Sequence, residues 1–232
     1  MKLSVLMPVF NEEAGLEMIL QRVSAVDIPK EIIVVDDCSQ DGTAGILRRI
    51  DLPELRVISH QVNMGKGAAI RTALEAANGD IVVIQDADLE YDPQDYLRLV
   101  EPIVAGRAQV VFGVRSLAAQ KPLLHAGNQL LTGIANLLYG LHLHDMETCY
   151  KVMTAEIARS LHIECNRFDL EPEITAKIAR LGYAIWEVPI SYAPREEKKL
   201  SPWKDGIPAL KALLRYRRWA PQAAQSVRSG TR

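Results

Sequence analysis

Disulfides, membrane spans and strong net charge are all missing from this sequence. Its 232 residues include three cysteines, Cys38, Cys149 and Cys165, odd in number and far apart. That usage excludes a disulfide framework and a zinc ribbon and fits a reducing cytosol. No uninterrupted apolar run approaches the roughly 18 residues of a membrane-spanning helix. The apolar start Leu3–Phe10 meets Glu12 and Glu13 too soon for a signal peptide. The formal net charge is −2, so bulk electrostatics makes no case for nucleic acid. Linkers, repeats and low-complexity segments are lacking too. What is present is the 48% hydrophobic and 24% charged balance of an ordinary soluble protein. A chain of this length buries roughly 70% of its unfolded surface and folds without a metal or disulfide staple.

Short β-branched runs alternate with helical patterns. The runs Leu3–Pro8, Glu31–Asp36, Arg56–Ser59, Ile81–Gln85 and Gln109–Val114 are predicted strands. Leu16, Ile19, Leu20 and Val23 repeat at helical spacing, Gly67–Ala77 is rich in helix formers, and Pro93 suits the first turn of a helix reaching Ala105. Such alternation implies an α/β fold with a mainly parallel sheet flanked by helices. Ligands of such sheets bind outside the carboxyl ends of the strands. Beyond residue 116 the pattern changes. Leu123–Leu143 is apolar, Ala155–Leu161 and Glu171–Leu181 read as helices, Tyr183–Tyr192 as a strand and Asp205–Trp219 as a last helix. The expected organisation is one domain over 1–219, in halves 1–116 and 117–219, with residues 220–232 a frayed tail.

Four predicted strand ends carry polar clusters: Pro8 to Glu12, Asp36 to Thr43, Asn63 to Gly67, and Asp86 to Glu90. In a parallel sheet all four project to one edge and make one site from separated segments. Each cluster also has a plainer reading. Ser39, Asp41 and Thr43 suit a helix cap. Asn63-Met-Gly-Lys-Gly lacks the spacing of a P-loop and reads either as a plain turn or as backbone donors and a lysine for phosphate.

The stretch Gln85-Asp-Ala-Asp-Leu-Glu-Tyr-Asp-Pro93 packs four carboxylates behind a buried strand. It is no EF-hand loop, because Tyr91 and Leu97 stand where the glycine and glutamate belong. It is either a solvated acidic turn or a set of hard oxygen ligands at alternating positions. The latter suits Mg²⁺ or Mn²⁺ shared with a diphosphate.

Pro8–Glu12, Val34–Thr43, Asn63–Gly67 and Asp86-Ala-Asp88 together resemble the family 2 glycosyltransferases of GT-A fold. Gly113–Arg115, Asp145–Lys151, Phe168–Glu171 and Val188–Arg195 narrow the resemblance to the polyprenyl-phosphate, dolichol-phosphate mannosyltransferase-like branch. The resemblance implies a nucleotide-sugar site of Pro8, Phe10, Asn11, Glu12, Asp37, Asn63, Lys66, Asp86, Ala87 and Asp88, with Asp37 on the base. It implies a divalent cation, Mg²⁺ or Mn²⁺, on Asp86, Asp88 and Glu90. Asp88, Asp145 and Arg115 are the implied catalytic group, and Arg115, Arg195 and Lys199 the implied phosphate ligands. Two departures stand out: Glu90 replaces the branch's glutamine, and Cys149 replaces a glycine. The Arg195–Lys199 segment is also short and glycine-free.

The expected reaction moves one sugar, with inversion, from a nucleotide-diphosphate donor to a lipid phosphate. The expected location is the cytoplasm, peripheral at the membrane face. The apolar 123–143 stretch reads as core or as a membrane-interface helix. Lys211, Arg215, Arg217 and Arg218 read as a solvated face or as headgroup contacts. The rivals are a soluble acceptor and a non-catalytic nucleotide-sugar binder. A sugar nucleotidyltransferase fails because Pro8–Glu12 is not a glycine-rich loop.

Overall fold

The computed structural model describes residues 1–116, 122–167, 169–194 and 202–221. The β-branched runs form strands, and the central ones are apolar on both faces. Ile32–Val35 and Val5–Met7 are buried throughout. Strands β1 (Leu3–Val9), β2 (Lys30–Asp36), β3 (Leu55–Ser59), β4 (Ile81–Ile84) and β5 (Val110–Arg115) lie within a residue or two of their expected bounds. So does the late strand β7 (Ile185–Ile190) at its core.

Helix α1 (Leu16–Ser24) turns Leu16, Ile19, Leu20 and Val23 inward, all buried. Each such side chain contributes about 1.5–3 kcal/mol relative to exposure. Helices α2 (Thr43–Arg49), α3 (Lys66–Ala76) and α4 (Tyr96–Val104) follow β2, β3 and β4. A short 3₁₀ turn at Pro93–Asp95 leads into α4, its first residue set by the proline and by Asp92, whose side chain accepts Gln94 N–H.

The sheet order is β3-β2-β1-β4-β6-β5-β7 among the described residues. Strand β6 (Lys151–Thr154) has no counterpart in the sequence expectation. It runs antiparallel between β4 and β5, while the other neighbours pair in parallel. An antiparallel strand presents its start where its parallel neighbours present their ends. The loop before β6, residues 145–150, therefore arrives at the same edge as the ends of β4 and β5.

Helices α5 (Pro122–Tyr139), α6 (Ala155–Ser160), α7 (Leu170–Leu181) and α8 (Pro202–Tyr216) complete the second half. Lys177 of α7 is fully buried. It pairs with Glu173 at 2.6 Å and Glu164 at 2.9 Å and lies over the rings of Tyr216 and Trp219. That paired charge ties α7 to the end of α8.

Candidate active site

The loops after β1 and β2 are laced together by side chains. Asn11 Oδ1 accepts Gln40 N–H at 2.8 Å, Ser39 Oγ accepts Asn11 N–H at 3.0 Å, and Thr43 Oγ1 accepts Glu12 N–H at 3.0 Å. Ser39 and Thr43 thus join two loops rather than only opening a helix. Asp41 does both, taking Thr43 N–H at 3.0 Å at the start of α2 and Glu13 N–H at 3.2 Å across the loops. Asn11 and Cys38 hold positive φ, 54° and 64°. Along this rim Pro8 is half-buried and Phe10 is exposed.

Asp37 lies deeper than its expected role suggests. Its carboxylate accepts Met64 N–H at 2.8 Å and Gly65 N–H at 2.6 Å, and it faces His60 Nδ1 at 2.7 Å. His60 Nε2 in turn meets Thr72 Oγ1 at 3.0 Å. Asp37 therefore holds the Asn63–Gly65 turn, and Asn63 itself bonds the Asp37 carbonyl at 3.3 Å. Sequence reasoning gave no sign of His60, a single histidine at a strand end.

The same bonds correct the reading of the glycine turn as a ready phosphate cradle. The Met64 and Gly65 donors are committed to Asp37. Those of Gly67 and Ala68 reach the Asn166 carbonyl. The glycines answer to close backbone approach: a Cβ on Gly65 would sit 2.3 Å from Asn166 O, and one on Gly67 2.5 Å from Cys165 O. Lys66 is what the turn delivers to the site.

Repulsion in the acidic loop is relieved from outside it. Lys66 Nζ stands 2.8 Å from Asp86 Oδ1 and 2.7 Å from Glu171 Oε1. Burial alone would raise the Asp86 pKa, but Lys66, a hydrogen bond from Cys149 and Arg115 outweigh it and the carboxyl is held below its usual range. Asp88 Oδ1 accepts Glu90 N–H at 3.2 Å. Ala87 is buried beneath the loop. Glu90 is buried too, and its Oε2 accepts the Tyr192 hydroxyl at 2.9 Å.

The structure thus leaves Asp86 and Asp88 half-buried past the carboxyl end of β4, and Glu90 engaged with Tyr192 just past β7. Among the described residues no three His, Cys, Asp or Glu side chains converge as a cage. Two half-buried carboxylates fit a hard cation that takes its remaining ligands from phosphate and water.

The second half closes the site with a buried ion pair. Arg115, ending β5, binds Asp145 through Nε at 2.7 Å and Nη2 at 2.8 Å. Asn128 Nδ2 adds a bond to Asp145 Oδ1 at 3.2 Å, and Arg115 lies over the Tyr192 ring. Rather than capping a helix, Asp145 receives this fork. Burial raises its pKa, and Arg115 and Asn128 more than reverse that.

Beside the pair, Glu147 is pushed up to about 7 by burial and by Glu171, against Lys151 and Arg115. Its Oε1 is buried without a hydrogen-bond partner. Lys151, lowered to about 8 by burial, donates to the Met146 and Thr148 carbonyls at 2.8 and 2.6 Å. Neither Glu147 nor the pivotal contact of Glu171 was singled out in sequence, although both sit in motifs that were. Arg195 and Lys199 lie outside the described residues.

A glycosyl transferase family 2 model matches residues 4–160. The chain is 30% identical over 235 residues to an undecaprenyl-phosphate mannosyltransferase of Micrococcus luteus, covering 94% of each. It is 31% identical over 217 residues to a dolichyl-phosphate hexose transferase of Haloferax volcanii, covering 92% of each. It spans 53% of the length of a low-salt glycan biosynthesis hexosyltransferase of that organism, at 29% identity over 91% of this chain. Among solved structures, glucosyl-3-phosphoglycerate synthase from Mycobacterium tuberculosis, in complex with Mn²⁺, uridine diphosphate and glucosyl-3-phosphoglycerate, superposes with a TM-score of 0.76. The identity is 26%, over 95% of this chain and 81% of that one.

Proposed function

The chain belongs to glycosyltransferase family 2, and from that premise we propose that it transfers one sugar from a nucleotide-diphosphate donor to a polyprenyl phosphate, inverting the anomeric centre. One observation carries the reading. Two cationic side chains, Lys66 and Arg115, stand on carboxylates at the edge where Asp86 and Asp88 face outward. Phosphates would meet the two cations there, and a divalent cation the two outward carboxylates. The full-length likeness to two polyprenyl-phosphate sugar transferases supports the lipid acceptor.

Pro8, Phe10, Asn11 and Glu12 line the base and ribose in this reading, with Asn63 at the rim. Asp37 meets the base only through whatever acceptor capacity its three donors leave. Asp86 and Asp88 hold the divalent cation, Mg²⁺ or Mn²⁺. When bound, that ion offsets the charge of the leaving diphosphate. A phosphate monoester has its second pKa near about 6, so the acceptor oxygen is already anionic near neutral pH and no strong base is required. The chain's work is placement. Asp145, held in orientation by Arg115 and Asn128, fixes the acceptor side, and the remaining Arg115 N–H groups face phosphate.

Two exposed i,i+7 pairs suit a membrane surface: Leu130 with Leu137 on α5, and Ile207 with Leu214 on α8. The two helices are joined where the Tyr139 hydroxyl bonds the Leu213 carbonyl. No helix of the described residues is long and apolar enough to cross a membrane.

The test supplies labelled UDP- and GDP-sugars with undecaprenyl phosphate, dolichyl phosphate or a small soluble phosphorylated acid. Label in the lipid fraction is expected. Transfer to the soluble acid alone overturns the lipid assignment and leaves the donor chemistry standing.

A further inference from the structure

Lys66 occupies ground that the proposed cation needs. Its ammonium is 2.8 Å from Asp86 Oδ1, an oxygen that a divalent ion would approach to about 2.0–2.6 Å. Two cations on one carboxylate oxygen repel strongly where water is scarce, and Lys66 is only 13% exposed. The lysine has a second anchor in Glu171 Oε1 at 2.7 Å. Glu171 itself is set in the first turn of α7, its carbonyl bonded by Thr175 Oγ1 at 2.8 Å. A lysine carries three donors on a flexible stem. Two are spent on Asp86 and Glu171, and the third is available to phosphate.

We infer that Lys66 is the resident counter-cation of Asp86, and that it exchanges with the divalent ion by pivoting on Glu171 toward the donor diphosphate. This rests on the donor-and-cation reading above. It makes Glu171 a positioning residue, acting through Lys66. It also assigns a cause to ordered binding. A bare metal ion must expel Lys66 from Asp86 with no new anion to receive it, whereas a metal–diphosphate complex brings that anion along.

Paramagnetic resonance of free Mn²⁺, titrated with the full chain alone and then with UDP or GDP, tests the exchange without turnover. The native chain should bind Mn²⁺ weakly alone and at least about tenfold more tightly with nucleotide. Lys66→Met should bind Mn²⁺ alone about tenfold more tightly than the native chain, and the gain from nucleotide should shrink. Lys66→Arg, which keeps the charge, should stay weak. Glu171→Gln removes the pivot's charge and leaves Lys66 on Asp86, so its Mn²⁺ affinity should fall severalfold. A purely structural role would weaken the methionine and glutamine variants alike, and that result overturns the inference. Equal Mn²⁺ affinity in the native chain and Lys66→Met overturns it too, while leaving the cation site intact. Mn²⁺ that stays free in every arm, nucleotide included, removes the cation site and the exchange together.

Discussion

Asp37 shows how one carboxylate can hold a loop at the sheet edge by taking up the protein's own donors. Three donors from the Asn63 turn and His60 converge on it, and a buried donor left unmatched costs about 1–3 kcal/mol. Asp37→Ala should therefore lower the urea midpoint by an amount worth at least about 1–3 kcal/mol. It should also weaken donor binding, since Lys66 rides on the same turn. An unchanged midpoint with weakened donor binding would return Asp37 to direct base recognition.

Glu147 makes a prediction of a different kind. Folded, it keeps its proton up to about pH 7, and unfolded it loses it near the ordinary 4.5. Between those values the folded state binds more protons, so this group's contribution to stability falls as pH rises through the window. Glu147→Gln stays uncharged and escapes that loss. The stability of the variant relative to the native chain should climb from pH 4.5 to 7, read as urea midpoints across a pH series. Parallel curves would refute the burial of the charge.

Helix α5 is where pattern and packing part company. Its residues Asn128, Thr132 and Asn136 recur every four positions and point inward, while Leu130 and Leu137 point out. The inward stripe holds the loop before β6: Asn136 bonds both Leu143 N–H and its carbonyl at 2.9 Å, Thr132 Oγ1 accepts Met146 N–H at 3.1 Å, and Asn128 reaches Asp145. Thr132→Val fills the same volume and orphans a buried N–H, so denaturant titration should show a loss of about 1–3 kcal/mol. Thr132→Ser should restore most of it, and a stable valine variant would dissolve this account.

None of this was legible from composition. A stripe of polar residues marks a helix face as clearly as a stripe of apolar ones, but sequence cannot say that the polar face is the buried one. Strand β6 was hidden for a related reason. It is four residues long and runs directly into α6. It also opens on Lys151, a residue type almost never fully buried unless paired. By contrast β1, β2 and β4 were legible because they are apolar on both faces. The positions of Asp86 and Arg115 were legible because they follow or end apolar strands, and that of Lys66 because it opens a helix after the Asn63–Gly65 turn. Glu171 and His60 act across more than twenty residues of chain, through contacts that no local pattern encodes.

At the scale of the whole molecule, a polyprenyl-phosphate acceptor would engage both the site and the apolar, basic flank. The polar edge of the sheet takes charged groups, and a polyprenyl tail needs somewhere else to go. Leu130 and Leu137 of α5, with Ile207 and Leu214 of α8, offer exposed apolar surface, Leu137 being 85% exposed. Lys211 and Arg215 of α8 and Arg217 and Arg218 just past its end lie exposed, Arg215 paired with Glu164, and Trp219 follows them, the mix of basic and aromatic side chains that suits a headgroup region. Each basic group contributes about 1 kcal/mol near an anionic surface, and that attraction is screened beyond about 8 Å at physiological salt. Attachment of this kind is reversible and salt-sensitive. The chain should float with anionic liposomes at low salt and be largely lost from them at high salt. Arg217→Glu combined with Arg218→Glu should reduce flotation at low salt while leaving donor hydrolysis in solution unchanged, because neither residue lies at the strand edge. Replacing Leu137 by Asp should reduce flotation at both salt concentrations, since the apolar contribution is not screened. Flotation that ignores salt and the arginine pair but fails with Leu137→Asp would assign the membrane contact to α5 alone. Equal recovery of all three proteins would place the contact elsewhere on the surface.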